Sequence, residues 1–116
     1  MAINYQYQLD RTFHALGDNT RRQMLAMLSK RQECTASDLG QPFNMAQPSV
    51  SKHIRVLEKA GLVKRRKEGR VHHFQLQIEP LNEAQTWISD HREFWQGSLD
   101  ALGDLIDEMN AEKGNG

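Results

Sequence analysis

Apolar residues recur at helical spacing along most of this chain and alternate in one short stretch. Leu9, Phe13 and Leu16 share one helical face and Gly17 follows them, which predicts a first helix over about 9–16. Asp18 is placed to cap a second helix over Asn19–Lys30, with Met24, Leu25 and Leu28 inward and Met27 beside them. Arg21 and Arg22 point outward in its first turn, where the helix dipole disfavours cations; a solvated face is the default reading, and a partner or an acidic neighbour the alternative. Thr35 or Ser37 can cap a short helix over about 36–41 with Leu39 inward, and Pro42-Phe43-Asn44-Met45 reads as a compact turn. A further helix starts at about Ala46 or Gln47. Its Val50, Ile54 and Leu57 form a buried stripe, Pro48 suits its first turn, and Gly61 suits a left-handed C-terminal stop.

After Gly61 the period becomes two. Residues 62–67 and 71–78 read as strands joined by Glu68-Gly69-Arg70, with Phe74, Leu76 and Ile78 pointing inward. Pro80 opens a last helix over about 81–110. Along it Leu81, Ile88, Trp95, Leu102 and Met109 recur every seven residues, and Ala84, His91, Ser98 and Leu105 fill the intermediate position. Trp87, Phe94, Leu99 and Ile106 widen that stripe, while Gly97 and Gly103 point to a kink or a close helix approach. So small a domain cannot cover so long an apolar face, so a second copy is the economical partner. The expected organisation is a flexible start (1–8), one folded domain (9–110) and a disordered tail (111–116).

A short helix, a tight turn and a second helix with a polar first turn form a helix-turn-helix, and a basic hairpin directly after it is a wing. The fold class is therefore mainly α with a small β-hairpin, a winged helix-turn-helix paired as a homodimer through its N- and C-terminal helices.

Charge sharpens this picture. The net charge of the 116 residues is zero, which argues against a polyanionic partner until the distribution is read. Residues 51–73 hold eight Lys/Arg against two Glu, and residues 79–116 hold nine Asp/Glu against two Lys/Arg. The segment with the helix-turn-helix pattern is thus the basic one. A hydrophobic content of 38% fits a small core completed at an interface. No apolar run reaches membrane-span length and Met1-Ala2-Ile3-Asn4-Tyr5 has no signal-peptide pattern, so a soluble cytoplasmic protein is expected. The single cysteine, Cys34, rules out an intrachain disulfide framework.

Three separated stretches carry a family resemblance. Gln47-Pro48-Ser49-Val50-Ser51-Lys52-His53-Ile54-Arg55-Val56-Leu57-Glu58-Lys59-Ala60-Gly61-Leu62-Val63 resembles the signature of ArsR-type winged helix-turn-helix repressors. So do Phe13-His14-Ala15-Leu16-Gly17-Asp18-Asn19-Thr20-Arg21 and the wing Glu68-Gly69-Arg70-Val71-His72-His73-Phe74. The resemblance implies a homodimer that binds double-stranded operator DNA and represses transcription until a signal releases it.

That resemblance puts the start of the recognition helix in the major groove. Gln47, Ser49, Ser51 and Lys52 are the expected readers of base edges or phosphates, and Arg55 a phosphate contact. Local hydrogen bonds to the helix backbone are the bland alternative for the two serines. His53 lies toward the buried side and is as readily a packed histidine. In the wing, Arg70 is expected at the minor groove or its phosphates, followed by Lys67 and Arg66, whereas Lys64 and Arg65 solubilise an edge strand. Dimer contacts are expected from Leu9, Phe13, Ile88, Trp95, Leu99, Leu102, Leu105 and Ile106.

Metal-sensing members of the resembling family carry Cys-x-Cys before an Asp-Leu. Here Asp38-Leu39 is preceded by Thr35 and Ser37 at those positions, and Cys34 stands alone beside them. The family's other site needs paired histidines on the last helix, which has only His91, and His72-His73 point to opposite faces of a strand. No metal, no cofactor and no enzyme activity are expected. A small-molecule inducer remains open, as do a metal- or redox-sensing repressor with an unrecognised site and a winged-helix scaffold that binds protein. The Lys-rich outer face of residues 52–70 disfavours the scaffold.

Overall fold

The computed structural model describes residues 2–114, with side-chain surroundings for residues 7–112. In chain order the elements are α1 (Ala2–Leu16), α2 (Asn19–Lys30), β1 (Cys34–Thr35), α3 (Ala36–Gly40), α4 (Gln47–Lys59), β2 (Val63–Glu68), β3 (Val71–Leu76) and α5 (Glu79–Gly114). Among the described residues, those up to Ala84 form one compact unit and those from Gln85 onward a second.

The core of the first unit gathers Met24, Leu25 and Leu28 from α2, Leu39 from α3, Val50, Ile54 and Leu57 from α4, and Phe74 from β3. These are the stripes the periodicity predicted. The α4 stop is also as expected. Gly61 has φ +72°, its N–H reaches Glu58 O at 2.9 Å and the Leu62 N–H reaches Leu57 O at 3.0 Å, which satisfies the last carbonyls of the helix. Thr35 caps α3 in a reciprocal pair: its hydroxyl accepts from the Asp38 N–H at 3.1 Å, and the Asp38 carboxylate accepts from the Thr35 N–H at 2.9 Å.

Several boundaries differ from those read off the sequence. α1 begins at Ala2 rather than Leu9, so residues 2–8 are helical where a flexible start was expected; Met1 lies outside the described residues. One anchor is non-local: the Gln8 amide donates to Ala60 O at 2.7 Å, satisfying a carbonyl at the end of α4. The buried face of α1 is Leu9, Thr12 and Ala15, whereas Phe13 is 38% exposed. Thr12 is tolerated inside because its hydroxyl donates to Gln8 O at 2.9 Å. β3 ends at Leu76, and Ile78, expected to point inward, is 53% exposed because alternation stops before it. Helix α5 continues through 111–114, expected to be disordered; residues 115–116 lie outside the described residues.

The sheet contains a strand that sequence pattern did not reveal. β1 pairs antiparallel with β3 (Cys34 opposite Phe74, Thr35 opposite His73), giving the order β1-β3-β2. β2 and β3 pair from Val63 opposite Leu76 to Glu68 opposite Val71. Gly69 and Arg70 alone make the turn, with Gly69 at φ +62°.

From Gln85 onward α5 forms the second unit. Its seven-residue stripe is largely open: Ile88, Trp95, Leu99, Leu102, Leu105, Ile106 and Met109 are each 41–62% exposed. Helix continues through Gly97 and Gly103, and a Cβ at either would meet nothing within 4 Å. Trp87 stacks on His91 with ring centroids 4.4 Å apart, and the His91 ring reaches Trp87 O at 2.8 Å. Among the described residues, no helix is long and apolar enough to cross a membrane.

The spacing of α3 and α4 depends on Gly40. A Cβ there would stand 3.0 and 3.1 Å from the two γ-carbons of Val50, which is only 2% exposed. Gly40→Ala should therefore cost about 1–3 kcal/mol in urea denaturation at fixed protein concentration, as overpacking does. A loss too small to measure would show that α3 and α4 part without strain.

Candidate nucleic-acid interface

Helices α1 and α2 are linked to the recognition helix α4 by a cluster of polar groups. Asp18 caps α2 by accepting the Arg21 N–H at 3.1 Å. Arg21, expected to point outward, instead folds back over the end of α1: its Nε donates to Ala15 O at 2.9 Å and its Nη2 to His14 O at 3.0 Å. Arg22 donates to Leu16 O at 2.6 Å. The neighbour that makes cations tolerable at the start of α2 is the negative end of the α1 dipole. Arg21 Nη1 also lies 3.1 Å from His53 Nδ1, and His53 is 3.8 Å from the Asp18 carboxylate. His53 thus faces the α1–α2 junction from α4.

The opposite flank of α4 is braced to the wing. Arg65 of β2 grips Glu58 with Nε (3.1 Å) and Nη2, and its guanidinium carbon lies 5.1 Å from the centroid of the Phe74 ring. This pair makes Arg65 a brace between strand and helix, where the sequence suggested only a solubilising charge.

Strand alternation then sorts the wing cations. Arg65 and Lys67 share the face of β2 that carries Phe74 and His72 on β3, since those residues are direct cross-strand partners. Lys64 and Arg66 point the other way. There Arg66 donates to both oxygens of Glu33 (3.0 and 2.9 Å) and to Glu68 at 3.0 Å. Gln75 joins Glu33 at 3.3 Å, and His73 lies 3.8 Å from Glu68. The Glu33 and Glu68 carboxylates raise the already high pKa of Arg66, and Arg66 in turn holds Glu33 below the usual carboxylate value. Arg66, expected among the phosphate contacts, is occupied by two carboxylates on the sheet face turned from α4.

The remaining candidates are disposed as follows. Gln47, Ser49, Lys52 and Arg55 are exposed on α4, and Ser51 is half-buried toward the wing. The first turn of α4 has no side-chain cap: Ala46 O accepts from the Ser49 N–H at 3.0 Å, and Pro48 lacks an N–H. Lys67 and Arg70 are exposed. Among the described residues, Lys52, Arg55, Lys67 and Arg70 have no carboxylate partner. Of the expected dimer contacts, Leu9 is only 7% exposed and so is already covered within one chain, whereas Phe13 and the α5 positions remain accessible.

Cys34 is 1% exposed, and burial pushes its thiol pKa up, so the thiolate form is disfavoured. Among the described residues, no three His, Cys, Asp or Glu side chains are grouped as a metal ion would require.

Residues 18–65, which include this α2–α4 framework, match the family described as bacterial regulatory protein, arsR family. The chain is 30% identical over 80 residues to the transcriptional repressor SdpR of Bacillus subtilis (strain 168), covering 69% of this chain and 88% of that protein. The chain belongs to the ArsR family. It is also 33% identical over 98 residues to the HTH-type transcriptional regulator Rv2034 of Mycobacterium tuberculosis (strain ATCC 25618 / H37Rv), covering 84% of this chain and 88% of that one. The crystal structure of the ArsR family transcriptional regulator RHA00566 superposes with a TM-score of 0.73 at 40% identity, covering 78% of this chain and 93% of that one. This ArsR-family chain is a DNA-binding transcriptional regulator with a winged helix-turn-helix fold, and its family is one of regulators rather than enzymes.

The polar cluster carries a pH signature. Asp18 is held below its ordinary pKa, chiefly by the Arg21 N–H, with the Arg21 and His53 charges adding and desolvation opposing. A depressed folded value means stability that is present above the unfolded carboxyl pKa of about 4 and lost as pH falls through the folded value. Asp18→Asn, which still caps, should flatten the acid limb of a stability–pH curve below about pH 4. An unchanged acid limb would show that the carboxylate charge is not what the junction uses.

Proposed function

We propose that this ArsR-family regulator is a homodimeric cytoplasmic repressor that binds an inverted-repeat operator and is not released by metal at the family's thiolate site. The observation that carries the reading is the division of cations. Arg65 and Arg66 are held by carboxylates, while Lys52, Arg55, Lys67 and Arg70 stay available on the outside of α4, on the α4-side face of the wing and at its tip. In this reading Gln47, Ser49, Ser51 and Lys52 read the major groove, Arg55 and Lys67 hold phosphates, and Arg70 reaches the minor groove. Arg66 positions the wing instead of touching DNA.

The open stripe Ile88, Trp95, Leu99, Leu102, Leu105 and Ile106 supports pairing with a second copy, with Phe13 of α1 as a further contact. Two-fold pairing implies half-sites about one helical turn apart. Thr35 and Ser37 at the positions of the family's thiolates, and the burial of Cys34, support release by something other than a thiolate-bound metal.

Selection of bound duplexes from a random pool, with and without chelator and reductant, tests the reading. Enrichment of one inverted repeat in every arm supports it; no enrichment defeats the repressor assignment, and enrichment that depends on chelator or reductant defeats the metal-independent part. On the selected duplex, affinity should fall with salt by about 0.9 log units per log unit of salt for each phosphate contacted. Arg70→Ala should lower that slope by about one such contact, while Arg66→Ala leaves it unchanged; the reverse pattern would return Arg66 to the phosphates. Lys52→Ala should relax preference at one operator position at a cost of ~1–3 kcal/mol, and uniform weakening across sequences would make Lys52 a backbone contact.

A further inference from the structure

Between α4 and the wing lies a cleft of about 300 Å³ whose polar lining is Gln47, Ser51, Arg55, Arg65 and His72. Ala36, Ile54 and Phe74 form its apolar part. Gln47, Ser51 and Arg55 stand at i, i+4 and i+8, so one stripe of the recognition helix faces this cleft. Arg65 is committed to Glu58 at its side. Arg55 has no carboxylate partner among the described residues.

His72 is the unusual member. Its Nδ1 is buried and has no hydrogen-bond partner. Buried polar atoms are nearly always satisfied, so an orphan needs an explanation. Putting a proton on Nδ1 would bury an unpaired N–H. Nε2 is therefore the ring nitrogen better suited to donate a hydrogen bond. His72 thus lines, from β3, the same cleft that Arg55, Gln47 and Ser51 line from α4.

Duplex geometry supplies the occupant. If α4 enters the major groove and the Gly69-Arg70 tip reaches the neighbouring minor groove, one sugar-phosphate strand separates the two grooves. That strand has to pass between α4 and the hairpin, over this cleft. We propose that the cleft is a seat for one phosphodiester of that strand, with Arg55 supplying the charge and His72 Nε2–H a directed hydrogen bond, and with Gln47 and Ser51 at its rim. The proposal rests on the DNA-binding reading above and adds to it a contact from inside the wing. A seat of this kind fixes the distance between the two grooves being read, because donors from the helix and from the strand close on the same phosphate.

The test uses the chain of residues 1–116 and a duplex selected as above, with a neutral methylphosphonate placed at one linkage at a time. His72→Phe keeps the ring volume and removes the donor. It should weaken binding to the unmodified duplex about tenfold to a hundredfold, in line with a single lost hydrogen bond to a charged group. At one linkage per half-site, the methylphosphonate should weaken the wild type but cost His72→Phe clearly less. Arg55→Gln should show the same reduced cost at the same linkage. If losses simply multiply at every linkage for both variants, the seat does not exist, although the selected duplex still binds and the regulator assignment stands. Millimolar inorganic phosphate should displace DNA no better than chloride of equal ionic strength. Stronger displacement by phosphate would make the cleft a pocket for a free anion and overturn the backbone assignment.

Discussion

The position of the recognition helix depends on a single close contact between its inner face and the short helix before it. Val50 is buried against Gly40, where a Cβ would stand only 3.0 and 3.1 Å from its γ-carbons. Ile54 and Leu57 continue the same stripe into the core shared with Met24, Leu25 and Phe74. Once this face is fixed, the angular position of every outer residue on α4 follows from the helical repeat. Lys52 points away from the core, Gln47, Ser51 and Arg55 turn toward the wing, and His53 turns toward the α1–α2 junction. The chemistry of the outer surface is thus a consequence of packing on the inner one.

Electrostatics then fixes both flanks of that helix. On one side, Arg21 joins the end of α1 to His53, using the partial negative charge of backbone carbonyls. On the other, the Arg65–Glu58 pair joins β2 to α4, while Arg66 with Glu33 and Glu68 ties the far face of the sheet to the residue preceding β1. Exposed ion pairs of this kind contribute little stability singly, but two-point guanidinium–carboxylate contacts restrict geometry strongly. Net charge alone would suggest weak attraction to DNA. The pairing pattern explains why the basic segment still presents a cationic surface: its carboxylates sit beside arginines that act within the fold.

Much of this was legible in the sequence because it depends on short-range periodicity. The stripes of α2 and α4, the cap at Asp18, the stop at Gly61 and the hairpin turn at Gly69 each follow from a few neighbouring residues. What was missed depends on distant partners. Strand β1 is two residues long and exists only because β3 lies beside it; the middle of α1 is tied by Gln8 to a carbonyl 52 residues away. Arg66 is a different case, since its signal was present. With Phe74 facing inward and the turn at Gly69-Arg70, strand parity places Arg65 and Lys67 on the inner face and Arg66 on the outer one. Reading the wing as a run of positive charge hid that alternation. The phosphate and base contacts proposed for the outer face of α4 draw on the family's DNA partner as well as on that face.

The two-residue turn between β2 and β3 has a consequence for the thermodynamics of binding. Every residue of the wing except Gly69 and Arg70 is already paired across the hairpin. A cation on a long loop would surrender backbone freedom on reaching DNA, whereas in the proposed reading mainly the Arg70 side chain would become ordered. The wing backbone is already paired before any partner arrives, so the contribution to affinity proposed for it would come with a small entropy loss.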